Sequence, residues 1–242
     1  MKVGIAQTKA IIGDIEANIA NHKKWIDCAL SEKVDLIFFP ELSLTGYEPR
    51  LADTWAMRAD DLRWNEFQTI SDLHTIVIGV GAPTRSEEGV CISMIIFQPN
   101  QAKQMYSKQI LHADEYPYFV KGNSQLLLTI KDVKIAPAIC YESLQPEHAE
   151  AANKLGTMLY LASVAKSKVG VEKATVHYSA IAKKYSMPVL MSNSVGPCDT
   201  FESIGQSSVW DGNGTLLASL DVEGEGILFF EPIAKQIDKI QS

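Results

Sequence analysis

A chain of 242 residues with 46% hydrophobic and 21% charged residues has a globular composition, which excludes the disordered and fibrous classes. Its length suits one large α/β unit with a substantial core and room for a deep site. The formal net charge of -7 argues against broad attraction to nucleic acid or anionic membrane, while leaving open an anionic substrate held by local Lys or Arg.

In chain order, Val3–Gln7 reads as a first strand. Residues 15–30 repeat apolar side chains at Ile15, Ile19, Trp25, Ile26 and Leu30, with Glu16 and Asp27 on the polar side. That spacing predicts an amphipathic helix. Residues 35–39 read as an apolar strand stopped by Pro40. A helix around 60–73 precedes a strand over 75–80, and Glu87-Glu88-Gly89 turns the chain into Val90–Phe97. Residues 126–130 and Val133–Ile139 flank Lys131-Asp132 as a tight hairpin. The next helix covers 146–155, with Pro146 near its start and Gly156 as the left-handed residue after its end. A strand at 158–161, a helix over 172–185 and a strand at 189–191 continue the alternation. Strands 207–210 and 215–220 enclose Asp211-Gly212-Asn213-Gly214, a strong hairpin signal. No internal repeat is present. Mixed β-α-β alternation and hairpins fit neither a purely parallel sheet nor an all-β sandwich. The expected class is α/β, with two packed mixed sheets and helices outside.

The N-terminal apolar stretch is too short for a signal-peptide core, and no later run approaches bilayer length. A cytoplasmic location is therefore expected, with Cys28, Cys91, Cys140 and Cys198 as reduced thiols. Their wide spacing offers no zinc motif, so no metal site is expected. Gly79-Val80-Gly81 lacks the further glycines of a nucleotide loop, and Pro83 disrupts the helix start such a loop needs.

Cys140 follows an apolar strand, where a nucleophile would be held rigidly yet face a crevice. Pro137 in that strand breaks local preference, as happens near functional sites. Glu41 directly follows another apolar strand, where partial desolvation would raise its pKa toward that of a general base. Lys108 could supply a fixed cation for a developing oxyanion. Glu115 could orient Lys108 or hold a substrate amine. Each has a plainer reading when taken singly: an inert buried thiol, solvated loop acids and a surface lysine. His112, His148 and His177 lack a catalytic context and read as surface or structurally satisfied residues.

In this order and context the residues resemble the carbon–nitrogen hydrolase (nitrilase-type) superfamily. The segments that carry the resemblance are Phe39-Pro40-Glu41-Leu42 with Thr45-Gly46-Tyr47, then Tyr106-Ser107-Lys108 with Leu111, and Ile139-Cys140-Tyr141-Glu142. Many members have Asp where this chain has Glu142. Glu115 matches a second acid that several members use, and Asp114-Glu115 with Tyr118-Phe119 and Gly122 is similar to the glutamine-hydrolysing domain joined to NAD synthetase. The stretch after the nucleophile, including residues 162–167, departs from many members.

The resemblance implies one domain over residues 1–242 with a four-layer α-β-β-α sandwich. It implies Glu41, Lys108 and Cys140 as catalytic residues, supported by Glu115 and Tyr141, with no metal or organic cofactor. It also implies a homodimer or higher homo-oligomer. The expected chemistry is cysteine-dependent hydrolysis of a non-peptide C–N bond in a small linear carboxamide or N-carbamoyl compound. Nitrile hydrolysis, acyl transfer by the same three residues, and a catalytically silent binding or regulatory protein remain alternatives.

Overall fold

The computed structural model describes residues 1–241. The chain runs β1 (Val3–Gln7), α1 (Ile15–Ser31), β2 (Leu36–Phe38), α2 (Ala52–Trp55), α3 (Trp64–His74), β3 (Val77–Arg85), β4 (Val90–Phe97) and β5 (Gln104–Ser107). It continues through β6 (Leu128–Ile130), β7 (Val133–Ile139), α4 (Pro146–Lys154), β8 (Leu159–Val164), α5 (Lys168–Tyr185) and β9 (Val189–Asn193). It closes with β10 (Val195–Cys198), β11 (Phe201–Ile204), β12 (Ser208–Trp210), β13 (Leu216–Ser219), β14 (Gly226–Glu231) and β15 (Gln236–Gln241).

One sheet has seven strands in the order β15-β14-β1-β2-β3-β4-β5, and a second has six in the order β13-β12-β9-β8-β7-β6. Both are mixed. The β1–β2 and β2–β3 pairs are parallel in the first, β7–β8 and β8–β9 in the second, and β10–β11 forms a separate hairpin.

Alternation along the strands builds the layers. Val3, Ile5, Leu36, Phe38 and Ile92 from one sheet meet Ile135, Ile139, Leu161 and Leu190 from the other. The opposite face of the seven-stranded sheet, with Ile37, Ile78, Val80 and Phe229, packs on Ile19, Trp25 and Ile26 of α1 and Phe67 of α3. The outer face of the six-stranded sheet, with Ala136, Ala138, Tyr160 and Met191, packs on Ala149 and Ala152 of α4 and Ala174 and Tyr178 of α5. Burying each large apolar side chain contributes about 1.5–3 kcal/mol, so these three apolar interfaces hold the expected α-β-β-α order. Two side chains cross directly between sheets: Ser163 Oγ donates to Phe39 O at 2.8 Å, and Ser192 Oγ to Ala6 O at 2.6 Å.

Several boundaries differ from the sequence reading, for local reasons. α1 starts where Asp14 accepts from Ala17 N, and α3 starts only at Trp64 because Asp61 and Arg63 form a turn bonded through the Asp61 side chain. Thr75 is left-handed and ends α3 rather than opening a strand. α5 begins at Lys168, earlier than read, because Ser167 caps it through Gly170 N. Five strands lie outside the elements read from sequence, namely β5, β10, β11, β14 and β15. Pro137 also has a structural explanation. β6 pairs with β7 only as far as Ile135, and Pro137 O faces past that end, accepting from Gln125 Nε2. Its missing N–H points to the same open side, so no ladder bond is lost.

Candidate active site

The seven-stranded sheet supplies an acid and a lysine. After β2 the chain turns tightly through residues 40–46, closed by Ser43 N to Pro40 O and Gly46 N to Leu42 O, with Leu42 in the left-handed region. Glu41 lies in this turn. Two features press the turn onto β3. A Cβ at Gly81 would overlap Pro40 O and Leu42 N, so only glycine permits the approach. Ser43 Oγ accepts from Gly81 N and contacts His22 Nε2 at 2.9 Å, while His22 Nδ1 contacts Asn18 O at 2.7 Å. Lys108 follows β5. Its N–H donates to Ile92 O and its carbonyl accepts from Gly122 N at 2.7 Å.

The six-stranded sheet supplies the thiol. Cys140 follows β7 with φ 45° and opens a short 3-10 turn, Cys140–Leu144. A left-handed non-glycine residue costs on the order of 1 kcal/mol or more and persists only where its surroundings fix it. Glu142 does much of that fixing. Its Oε1 accepts from Ile139 N at 2.7 Å and from Tyr106 OH at 2.6 Å, and its Oε2 accepts from Gln109 N at 2.6 Å. The thiol's strand end is thereby tied to the segment that carries Lys108. Burial, opposed by Tyr106 and these amides, pushes Glu142 up to about 7.

Between the sheets, Lys108 Nζ donates to Glu41 Oε1 at 2.9 Å and to Glu115 Oε1 at 2.6 Å, all three side chains being buried. Glu115 also accepts from Tyr47 OH at 3.0 Å and from His112 N at 2.7 Å. Both its oxygens are occupied by the protein, which makes it a support for Lys108. Glu41 differs: its Oε2 is buried without a hydrogen-bond partner, and the nearby Cys140 thiol, like Lys108, opposes the rise of its pKa. Cys140 Sγ lies 3.7 Å from Ala165 O and 3.7 Å from Lys166 Nζ.

Burial raises the Glu41 pKa, with Lys108 opposing and Glu115 reinforcing the rise. Burial and the Glu41 charge push the Cys140 thiol up to about 11, against Lys166 and Lys108. For Lys108, burial alone would lower the pKa, but Glu41, Cys140 and Glu115 outweigh it, and the group is held as an ammonium. The resting set is thus a neutral thiol, an acid with one open oxygen and a fixed cation.

A cavity of about 240 Å³ opens onto Cys140, bounded by Tyr47, Glu115, Tyr141, Lys166 and Phe201. Glu41, Lys108, Cys140, Glu115 and Tyr141 therefore converge on one region. His148 and His112 do not join them as bases. His148 lies between Tyr106 OH and Tyr160 OH, and burial lowers it to about 4. His112 pairs with Asp114 at the cavity rim. The four cysteines are free thiols, and among the described residues no group of three or more His, Cys, Asp or Glu could hold a metal ion. Among the described residues no helix is long and apolar enough to cross a membrane.

The sequence reading did not single out Lys166, Tyr47, Glu142 or His22 as parts of the site. Lys166 had a usable signal: the first charge past an apolar parallel strand, at the carboxyl end where α/β proteins bind ligands. Tyr47 lies in the Thr45-Gly46-Tyr47 segment of the Glu41 motif, but its contact with Glu115 spans 68 residues, and His22 had no signal, its contact with Ser43 spanning 21.

The architecture is shared with solved amidases. An amidase from Nesterenkonia sp. AN1 superposes with a TM-score of 0.87 at 22% identity, covering 96% of this chain and 92% of that one, and a variant of it carries acrylamide added at its active-site cysteine. The carbon-nitrogen hydrolase family model matches residues 2–235, and the chain belongs to that family. A glutamine-dependent NAD(+) synthetase of Aquifex aeolicus is 27% identical over 237 residues, which are 94% of this chain but 41% of that protein. The chain thus spans about two-fifths of that relative's length. A probable nitrilase of Schizosaccharomyces pombe is 24% identical, covering 95% of this chain and 88% of that protein.

Proposed function

We propose that the protein hydrolyses a non-peptide C–N bond in a small linear carboxamide or N-carbamoyl compound, with Cys140 as nucleophile. The observation that carries this reading is the enclosed Glu41 carboxylate, with one oxygen on Lys108, the other without a partner, and the Cys140 thiol near enough to act on the group. A thiol pushed up to about 11 needs a base at neutral pH. Glu41 takes the Cys140 proton as sulfur attacks the amide carbon. Lys108 and the Tyr141 N–H stabilise the oxyanion, which is where fixed donors contribute most. Glu41 returns the proton to the departing ammonia or amine, leaving a thioester on Cys140. It then takes a proton from the water that releases the acid. Glu115 and Tyr47 keep Lys108 in place, acting as positioning residues. The small cavity favours substrates of a few carbons.

An ammonia-release screen over short amides, ureido acids, glutamine and nitriles tests the reading, alongside intact-protein mass spectrometry for a transient acyl adduct. Ammonia with an adduct mapped to Cys140 supports it. Absence of turnover and of any adduct across the screen would remove it in favour of a binding role.

A further inference from the structure

Lys166 is a second ammonium at the cavity, and the proposed hydrolysis does not use it. It stands two residues after β8 and is only 5% exposed. Its Nζ has one contact among the described residues, the Cys140 sulfur at 3.7 Å, and no carboxylate within ion-pairing distance. Lys108, by contrast, is held between two carboxylates. An enclosed lysine facing a cavity without a counter-ion is costly unless a ligand supplies one.

The backbone beside it has the same polarity. Ser167 caps α5, an 18-residue helix, and satisfies Gly170 N and Val171 N. The Lys168 and Val169 N–H groups then begin the helix without intrahelical acceptors. Ser167 and Gly170 line the same cavity as Lys166, so the positive end of the helix dipole adds to the ammonium. The nearby acids do not cancel this charge. Glu41 and Glu115 flank Lys108, Glu115 being further bound by Tyr47 and a backbone amide, and Asp114 is hydrogen-bonded to His112 at the rim.

We propose that Lys166 and the first turn of α5 form a carboxylate subsite, so that the preferred substrate is a short amide bearing a carboxylate at its far end. The inference rests on the hydrolase reading for its substrate but not for its geometry. A carboxylate on Lys166 Nζ lies a few bonds from a carbon in contact with Cys140 Sγ, which fits an amide and an acid separated by a short carbon chain. Such a substrate supplies the missing counter-ion and orients the amide at the same time.

Two measurements test this, and only one needs turnover. Cys140 is alkylated with iodoacetate and, separately, with iodoacetamide; sulfur displaces iodide in both, so the reagents differ mainly in charge. Rates at Cys140 come from intact mass and peptide mapping. Lys166→Met is expected to lower the iodoacetate-to-iodoacetamide rate ratio by about ten- to hundredfold, the range for losing a charged hydrogen-bonded pair. Lys166→Arg should keep most of the ratio, which separates loss of charge from misfolding. In the second measurement, ammonia release from succinamate should exceed that from butyramide, and Lys166→Met should remove the preference through KM.

An unchanged alkylation ratio, or an equal slowing of both reagents, overturns the subsite and leaves Lys166 as a partner of the thiolate alone. Butyramide hydrolysis with an unchanged ratio would sink the subsite while the hydrolase reading stands. A Lys166-dependent ratio without turnover of any amide would sink the hydrolase reading while the anion subsite stands.

Discussion

Gly122 donates its N–H to the carbonyl of Lys108 at 2.7 Å, so close that a Cβ on Gly122 would overlap the Ser107 carbonyl. The cation of the site is therefore held through its backbone as well as through Glu41 and Glu115. Gly122→Ala is expected to move this segment outward and to destabilise the fold by about 1–3 kcal/mol, the usual cost of overpacking. Thermal unfolding reads the stability, and ammonia release should fall with it. An alanine variant with unchanged melting and activity would show that the segment yields without cost.

Cys140→Ala should abolish turnover and leave the melting temperature close to that of the parent, within about 1 kcal/mol of stability. The side chain removed is small, and the clamp through Glu142 uses the Ile139 and Gln109 amides rather than the thiol. Differential scanning calorimetry beside a steady-state assay separates the two effects. Full activity in the variant would end the nucleophile assignment.

Glu41→Gln keeps the size of the side chain but cannot accept a proton. Loss of a general base typically lowers the rate by about 10²–10⁴. An activated ester should partly restore acylation, because its leaving group needs little proton assistance, while deacylation stays slow. Mass spectrometry is then expected to find a persistent adduct on Cys140. Adduct on Cys28, Cys91 or Cys198 instead would redirect the mechanism.

The buried His22 gives a pH dependence with a definite sign. Burial, opposed by its bond to Asn18 O, lowers it from 6.5 to about 4. Between those values the unfolded chain binds a proton that the folded chain does not, so this contribution to stability is lost as pH falls from about 6.5 toward 4. His22→Gln should be less stable at neutral pH, with the gap to the parent narrowing across that window. Denaturant titrations at intervals of pH test it, and a constant gap would contradict it. Glu142, pushed up to about 7 from 4.5, contributes with the opposite sign, favouring the fold as pH falls from 7 toward 4.5. The comparison therefore has to be between variant and parent.

The expected homodimer has a candidate face on α4 and α5. Val169 and Val176 are exposed seven residues apart on α5, and Leu155 and Met158 are exposed just after α4. Light scattering at micromolar concentration should give twice the monomer mass, and Val176→Glu should shift it toward the monomer. A monomeric parent protein would remove this proposal.

Much of the layer order was legible in the sequence. Short apolar strands such as Val3–Gln7, buried on both faces, and the α1 stripe through Ile19, Trp25 and Ile26 follow from local pattern alone. β14 was not, although Ile227-Leu228-Phe229-Phe230 is a plain apolar run, because its partner is β1 at the far end of the chain. Glu41, Lys108 and Cys140 stood out as an ordered set of motifs. Glu115 was named beside them as a support for Lys108, but the roles of other supports were not legible. Gly81 under the Glu41 turn, and Glu142 between Gln109 and Ile139, act through backbone approach and amide bonds that no side-chain spacing records.

The division of the site between two sheets bears on how the chain folds. Glu41 and Lys108 belong to the seven-stranded sheet, Cys140 and Lys166 to the six-stranded one, and Ser163 bridges them at Phe39, two residues from Glu41. The β3–β4, β4–β5 and β6–β7 hairpins can form locally, but the β1–β14 pairing and the contacts between the sheets join segments far apart in sequence, which meet slowly. Until they dock, Cys140 lacks Glu41 and Lys108 beside it. During refolding its reactivity should therefore pass from that of a free cysteine to that of the enclosed one at the docking step, giving the protein a built-in chemical clock for the joining of its two halves.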